Sequence, residues 1–397
     1  MSSMILVINC GSSSLKFALL STHTQQTVLS GLAERLGLGE ASISFRQGDA
    51  RQSVMLERAD HATAMRVLVE FLRSKGLLEG VAAVGHRVVH GGEAFKSSAL
   101  IDARVIAEIE RCSRLAPLHN PAHLVGIQQA QLSFPQVPHV AVFDTAFHQS
   151  MTEHAYLYAV PMQWYRQFGV RRYGFHGTSY RFVAREVAML LGKPQNDINL
   201  VVAHLGNGAS VAAIRAGRSV DTSMGLTPLE GLVMGTRSGD IDPGVFAYLQ
   251  AESGMDTQQV TDALNKRSGL LGLSELSSDC RSLQQASEEG HVGAARALEV
   301  FCYRLAKHIA AQMVAVAAPL DALAFTGGIG ENSAWVRART LSWLAALGFA
   351  VDEAANRACV GGQGGMIHAA GSIPVWVVDT NEELMIALDT AELAGLG

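Results

Sequence analysis

Ile5-Leu6-Val7-Ile8-Asn9-Cys10-Gly11-Ser12-Ser13-Ser14-Leu15-Lys16-Phe17-Ala18-Leu19-Leu20 carries the reading of the fold. Two short apolar runs flank a Gly- and Ser-rich turn, which predicts a β-hairpin rather than a helix. The pattern returns near half-length. Residues 199–204 read as an apolar strand, Gly206-Asn207-Gly208-Ala209 as a turn and residues 210–214 as a second strand. A repeat at that spacing points to two related domains, each giving one glycine-turn hairpin to a shared cleft. Coincidence is the other reading, because such hairpins are common.

Strands and helices alternate around these hairpins. Residues 60–75 predict a helix capped by Asp60, with Met65, Leu68 and Leu72 on one face and Gly76 just past its end. Residues 81–89 return to strand and end at Gly91-Gly92; residues 102–115 form a helix; residues 139–143 form a buried strand that delivers Asp144 at its carboxyl end. A long helix places Leu298, Phe301, Cys302, Leu305, Ile309, Met313 and Val316 on one face. A strand at 322–325 leads into Gly327-Gly328-Ile329-Gly330-Glu331-Asn332, and a last strand at 375–378 precedes a helix starting near Asn381. The fold class is therefore α/β.

At 397 residues the chain suits two domains, with three as the alternative. With 48% hydrophobic and 17% charged residues it has ample apolar surface to bury, which excludes disorder. A net charge of −5 gives no reason to expect a nucleic-acid or anionic-membrane partner. Cys10, Cys112, Cys280, Cys302 and Cys359 form no C-x-x-C pair, and no basic residue precedes Lys16 as a signal peptide would require. No stretch reaches the roughly 18 apolar residues of a membrane span. A cytoplasmic protein with reduced thiols is expected.

Three glycine turns, at Gly11, Gly206 and Gly327, each follow an apolar strand. Lacking a Cβ, such turns let backbone N–H groups converge on phosphate oxygens. None is a Walker A loop or a full Rossmann fingerprint, but three together, with Lys16 beyond the first, point to a nucleotide. His86 and His90 sit four apart, about 13 Å along a strand at ~3.3 Å per residue, too far for one shared metal ion. Arg87 lies between them, before a Gly-Gly turn; its planar fork suits a carboxylate or phosphate, and a salt bridge is the alternative. Residues 221–243 predict a long functional loop whose one basic residue is Arg237. Tyr173-Gly174-Phe175-His176-Gly177-Thr178-Ser179 presents His176 between glycines.

Val7-Ile8-Asn9-Cys10-Gly11-Ser12-Ser13-Ser14-Leu15-Lys16 resembles the opening signature of acetate kinases. Gly225-Leu226-Thr227-Pro228-Leu229-Glu230-Gly231-Leu232-Val233-Met234-Gly235-Thr236-Arg237-Ser238-Gly239-Asp240 resembles the second. The similarity extends over 86–93, 117–121, 143–148, 204–208, 325–332 and 380–384, nearly the whole chain. It implies two ribonuclease-H-like, actin-like ATPase domains flanking a nucleotide cleft: residues 1–149 plus 382–397, and the nucleotide-binding residues 150–381. It implies Mg²⁺ (Mn²⁺ as a substitute) held by Asn9 and Glu382. It implies ATP or ADP contacted by Ser14, Lys16, His204, Leu205, Gly206, Asn207, Gly208, Asp279, Cys280, Arg281, Gly328, Ile329, Gly330, Glu331 and Asn332. Arg87, Val89, Leu118, Phe175 and Pro228 are the implied substrate contacts, and Asp144, His176 and Arg237 the catalytic residues. A homodimer is also implied. Tyr180 departs from the pattern, since many relatives have a second histidine there.

The reaction so implied is reversible phosphoryl transfer from ATP to acetate, giving acetyl phosphate and ADP. An acetate carboxylate is already ionised at pH 7, so Asp144 is expected to orient an arginine or Mg²⁺-bound water rather than take a proton. A propionate or butyrate kinase is the near alternative, which Val89 weighs against by narrowing the pocket. A non-enzymatic nucleotide switch of the actin or chaperone kind is the alternative from another class, and it has no use for Arg87, Arg237 and His176.

Overall fold

The computed structural model describes residues 3–117 and 119–396. The chain divides into two compact units, Met1–Gln149 with Asn381–Gly397, and Ser150–Thr380. The first unit is built on the strand that opens the sequence, β1 (Met4–Cys10). Its even residues Met4, Leu6, Ile8 and Cys10 pack into one apolar cluster, while Ile5 and Val7 pack into another on the opposite face. Side chains alternate along a strand, so a continuous apolar run buries both faces and belongs in the middle of a sheet.

That sheet also holds β2 (Ser14–Ser21), β3 (Thr27–Glu34), β4 (Ser42–Gln47), β5 (Ala50–Met55), β6 (Val81–Val88), β7 (Ala99–Leu100) and β8 (His139–Phe143). Their order is β5-β4-β3-β2-β1-β6-β8-β7. β1, β2 and β3 pair antiparallel, whereas β6 runs parallel to β1 and β8 parallel to β6.

The second unit holds β9 (Leu200–Leu205), β10 (Ala209–Arg215), β11 (Arg218–Thr222), β12 (Ala322–Thr326), β13 (Gly365–Met366) and β14 (Val375–Val377), in the order β11-β10-β9-β12-β14-β13. Here too the first three are antiparallel and the next two parallel. The order β3-β2-β1-β6-β8-β7 in one sheet is thus repeated as β11-β10-β9-β12-β14-β13 in the other. The half-length repeat is structural, and each unit carries the mixed sheet of an actin-like ATPase domain. β4 and β5 are an addition to the first sheet alone.

Helices cover both faces. In the first unit His61–Ser74, capped by Asp60 through a 2.7 Å bond from the Thr63 N–H, packs beside Asn120–Ser133 on the face of Leu6 and Ile8. The opposite face is closed by Glu382–Leu393, whose Ile386, Ala387 and Ala391 join Ile5, Val7, Ala83, Val140 and Val142. Gly85 permits that approach, because a Cβ there would sit 2.3 Å from Thr390 Oγ1 and 2.8 Å from Ile386 Cγ2. In the second unit the 25-residue helix Val292–Val316 lies against β9, β10 and β11, and Gly177–Leu190 against β9 and β12. The two covering helices are exchanged along the chain. Gly177–Leu190 follows the last long strand of the first sheet yet packs on the second, and Glu382–Leu393 follows the second sheet yet packs on the first.

Residues 223–243 carry no helix or strand, so the long loop starts two residues later than the expected 221, because Asp221 and Thr222 complete β11. Residues Gly327–Asn332 differ from the expected open turn by winding into a short helix directly from β12. Gly327, at φ +77°, makes the break that lets the chain leave the strand.

Candidate active site

In the first unit the candidates gather at the carboxyl ends of the parallel strands, on the face closed by Glu382–Leu393. Asn9 pairs with Lys16 across the β1–β2 hairpin, so both side chains share that face with Ile5 and Val7. Arg87 sits one residue before the end of β6, and Asp144 one residue beyond β8. The Arg87 fork meets Asp144 bidentately, Nε to Oδ1 at 3.1 Å and Nη2 to Oδ2 at 2.7 Å. Glu382 Oε2 lies 3.8 Å from Arg87 Nε, and Glu383 pairs with Lys16.

These contacts order the charges. Burial by itself would lower Arg87, but Asp144 and Glu382 more than offset it, and the guanidinium is held charged. Burial raises the Asp144 carboxyl, with the Arg87 charge pulling the other way. Glu383 is pushed up by burial and brought below its ordinary value by Lys16. Asp144 is thus paired with an arginine. For Glu383 the sequence gives one signal, its position next to Glu382 in the first turn of a helix.

Behind Arg87 lies a neutral histidine cluster. His139 Nε2 meets the Phe134 carbonyl at 3.1 Å and so donates, which leaves its Nδ1 to accept from His86 Nε2 at 3.0 Å. His123 Nδ1 accepts the Val89 N–H at 3.3 Å. Burial pulls His86 well below its ordinary value, and pulls His123 down to about 3 with help from the Arg87 charge. Among the described residues no group of three or more His, Cys, Asp or Glu side chains could hold a metal ion. Val89 is buried; Ser14 stands over Gly11, whose Cβ would lie 2.9 Å from its Oγ. Leu118 lies outside the described residues.

In the second unit a pocket of about 690 Å³ is lined by Gly206, Asn207, Asp279, Cys280, Arg281, Gly328, Ile329 and Asn332, all expected nucleotide contacts, together with Ser278, Gln284, Gln285, Glu288 and Ser333. Its size suits a nucleotide. Gly330 and Glu331 are placed differently. Gly330 is buried, and Glu331 Oε1 accepts from the N–H of Gly327 at 2.8 Å and of Thr380 at 3.0 Å. That carboxylate ties the chain's entry and exit strands and does not line the pocket. Leu205 is buried at the end of β9, and Gly208 closes the turn after Gly206.

Beside that turn stand His176 and Arg237. A methyl group on Gly208 would lie 3.4 Å from Arg237 Nη1 and 3.7 Å from His176 Nε2, so both side chains converge on one glycine. The His176 ring stacks on His204 at 4.2 Å. Arg237 donates from Nη1 to the Pro228 carbonyl at 3.0 Å, and no carboxylate pairs with it among the described residues. Burial lowers its affinity for the proton without neutralising it. A half-buried guanidinium without a counter-ion, beside an imidazole and a glycine turn, is built to receive an anion. Phe175 is buried just before His176.

The loop bearing Pro228 is braced by residues whose sequence gave no signal. Arg172 Nη1 donates to the carbonyls of Thr222, Ser223 and Met224 at 2.9, 3.0 and 3.1 Å, and its Nη2 meets Glu230 Oε1 at 2.5 Å. Tyr158 also bonds Glu230, and its hydroxyl accepts the Leu226 N–H at 2.8 Å.

Residues 4–388 match the sequence model of the Acetokinase family. The chain belongs to the acetokinase family. It is 62% identical over 396 residues to an acetate kinase of Chromobacterium violaceum, covering all of both chains. Among solved structures it resembles a propionate kinase from Francisella tularensis, with TM-score 0.94 and 46% identity over 98% of this chain and all of that one. It also resembles Porphyromonas gingivalis acetate kinase, with TM-score 0.93 and 40% identity over 98% and 99%. In this acetokinase-family chain, then, the match runs through both units. No helix among the described residues is long and apolar enough to cross a membrane.

Proposed function

We propose that the protein is an acetate kinase that transfers the γ-phosphoryl group of ATP reversibly to the carboxylate of acetate. The observation that carries this is Arg237, a cation without a counter-ion, set with His176 at the Gly208 turn near a nucleotide-sized pocket. Acetate supplies an ionised oxygen nucleophile at pH 7, so the transfer needs no base. What it needs is positioning and neutralised charge. Arg237 and the His176 ring are the donors for the transferring group, and Lys16 and Arg281 add positive charge toward ATP. Arg87 binds the acetate carboxylate, and Asp144 holds the Arg87 fork in one orientation.

Asn9 and Glu382 offer oxygen donors of the kind a hard cation such as Mg²⁺ prefers, and they would hold it with few protein ligands. When bound, the ion supplies charge neutralisation at the β- and γ-phosphates. We assign the first unit to the N-terminal ribonuclease-H-like domain and the second to the nucleotide-binding domain. The family resemblance supports a cytoplasmic homodimer; light scattering on the purified protein tests the dimer.

Steady-state acyl phosphate formation from MgATP with acetate, propionate and butyrate tests the proposal. Acetate is expected to give the highest kcat/KM. Acyl phosphate formation from none of the three would refute it, and a higher kcat/KM for propionate would replace acetate as the substrate.

A further inference from the structure

His176 reaches the Gly208 turn with Nε2 while its other ring nitrogen points into the protein, where Nδ1 lies 2.9 Å from Ser210 Oγ. Ser210 is fully buried on β10 and is hydrogen-bonded in turn to the hydroxyl of Tyr180, which is also fully buried. A serine hydroxyl has one proton and stands here between two partners. The phenol is by far the better donor of the two hydroxyls, and burial pushes its own ionisation up and out of reach, so it keeps its proton. Tyr180 therefore donates to Ser210, Ser210 donates to His176 Nδ1, and the proton of a neutral His176 ring is left on Nε2. From these contacts we infer that Tyr180, acting through Ser210, is a positioning residue that fixes His176 as the Nε2–H tautomer facing the transferring phosphoryl group. This inference rests on the role proposed for His176 above.

The duplication of the fold makes the arrangement more than local. Ser210 pairs with His204 on the second hairpin as Lys16 pairs with Asn9 on the first. In each unit the first turn of the exchanged helix reaches that hairpin position, with Glu383 on Lys16 in one and Tyr180 on Ser210 in the other. The same scaffold thus holds a lysine by charge in the first unit and directs an imidazole by a chain of hydroxyls in the second. His176 itself has φ +58° and precedes the helix, a backbone state that non-glycine residues adopt when the surroundings hold them. Stacking on His204 fixes the plane of the ring, and the hydroxyl chain fixes which edge carries the proton.

Nitrogen-15 NMR of histidine-labelled protein, with the His176 signal assigned by its loss in His176→Gln, reads the tautomer directly. The Nε2–H form is expected in the unaltered protein, and a mixture with Nδ1–H in Tyr180→Phe, which deletes one atom and keeps the ring. Tyr180→Phe should lower kcat about 100-fold, with KM for acetate and ATP within about twofold, because a misdirected donor costs chiefly in the transition state. Ser210→Ala should act the same way; if it does not fold, Tyr180→Phe decides alone. A proton on Nδ1 in the unaltered protein, or an unchanged spectrum in Tyr180→Phe, would overturn the inference. A tautomer shift with kcat unchanged would uphold the positioning and overturn the assignment of His176 to the transfer step.

Discussion

Arg337 offers the sharpest test of how the nucleotide unit is held together. It is fully buried, and its guanidinium donates from Nη1 to the carbonyls of Gly330 and Glu331 at 2.8 and 3.0 Å. Nη2 reaches the carbonyls of Asn356 and Cys359 at 2.6 and 2.8 Å, and Nε the Asn356 side chain at 2.8 Å. Burial pulls it down to about 10, still well above neutral pH, so the charge is retained. Arg337→Met keeps the apolar stem and removes every donor. Each buried carbonyl left unpaired costs about 1–3 kcal/mol, part of which local rearrangement recovers, giving a net loss of about 3–5 kcal/mol. Because Gly330 and Glu331 end the short helix beside the pocket, the ATP KM should rise several-fold while the acetate KM holds. Urea unfolding followed by fluorescence, with steady-state kinetics on the folded fraction, measures both. A loss under about 1 kcal/mol would show that the carbonyls do not depend on Arg337 and refute the reasoning.

Arg87→Ala strips the partner from a carboxylate only 1% exposed and should destabilise the first unit by about 3–5 kcal/mol. Adding Asp144→Asn should restore most of that stability in thermal melts but no activity. Acidification should weaken the first unit as well. The unfolded chain protonates His123 near 6.5, whereas the folded unit holds it neutral down to about 3, so stability is complete above pH 6.5 and falls below it. At pH 5 the loss from His123 alone is about 2 kcal/mol, read from denaturation midpoints at pH 7.5 and 5; equal midpoints would contradict it. Val89→Ala should raise the propionate-to-acetate ratio of kcat/KM by about tenfold, the low end of what one methylene is worth, and an unchanged ratio would place Val89 away from the acyl group.

Much of this was legible because local chemistry dictated it. Asp60 caps its helix with a 2.7 Å bond, as its type and position predict, and the last helix starts beside Asn381, which caps it through the Leu384 N–H. The two hairpins were visible as apolar runs around glycine, and their sheets carry the same strand order. What stayed hidden depends on partners far away in sequence. The resemblance implies an ATP contact for Glu331, and nothing in its neighbours tells that its carboxylate accepts from the N–H groups of both Gly327 and Thr380. Tyr180 meets Ser210 across 30 residues, and Arg172 meets Glu230 across 58, and no periodicity records either. β4 and β5 give little signal: β4 buries only Ile43 and Phe45, and β5 is exposed along almost its whole length, a weak pattern beside the solid runs of β1 and β9.

The exchange of helices bears on how a ribosome makes this protein. When residue 149 has been synthesised, every strand of the first sheet exists, but the face formed by Ile5, Val7, Ala83, Val140 and Val142 still lacks its cover. That cover is Glu382–Leu393, which follows the whole of the second unit, so the sheet made first is closed only after the second has been made. Throughout synthesis of the second unit the nascent chain presents an apolar face to the cell, the kind of surface that chaperones bind and aggregates grow from. A frameshift just before residue 381 would therefore damage a sheet whose strands were all translated before residue 150.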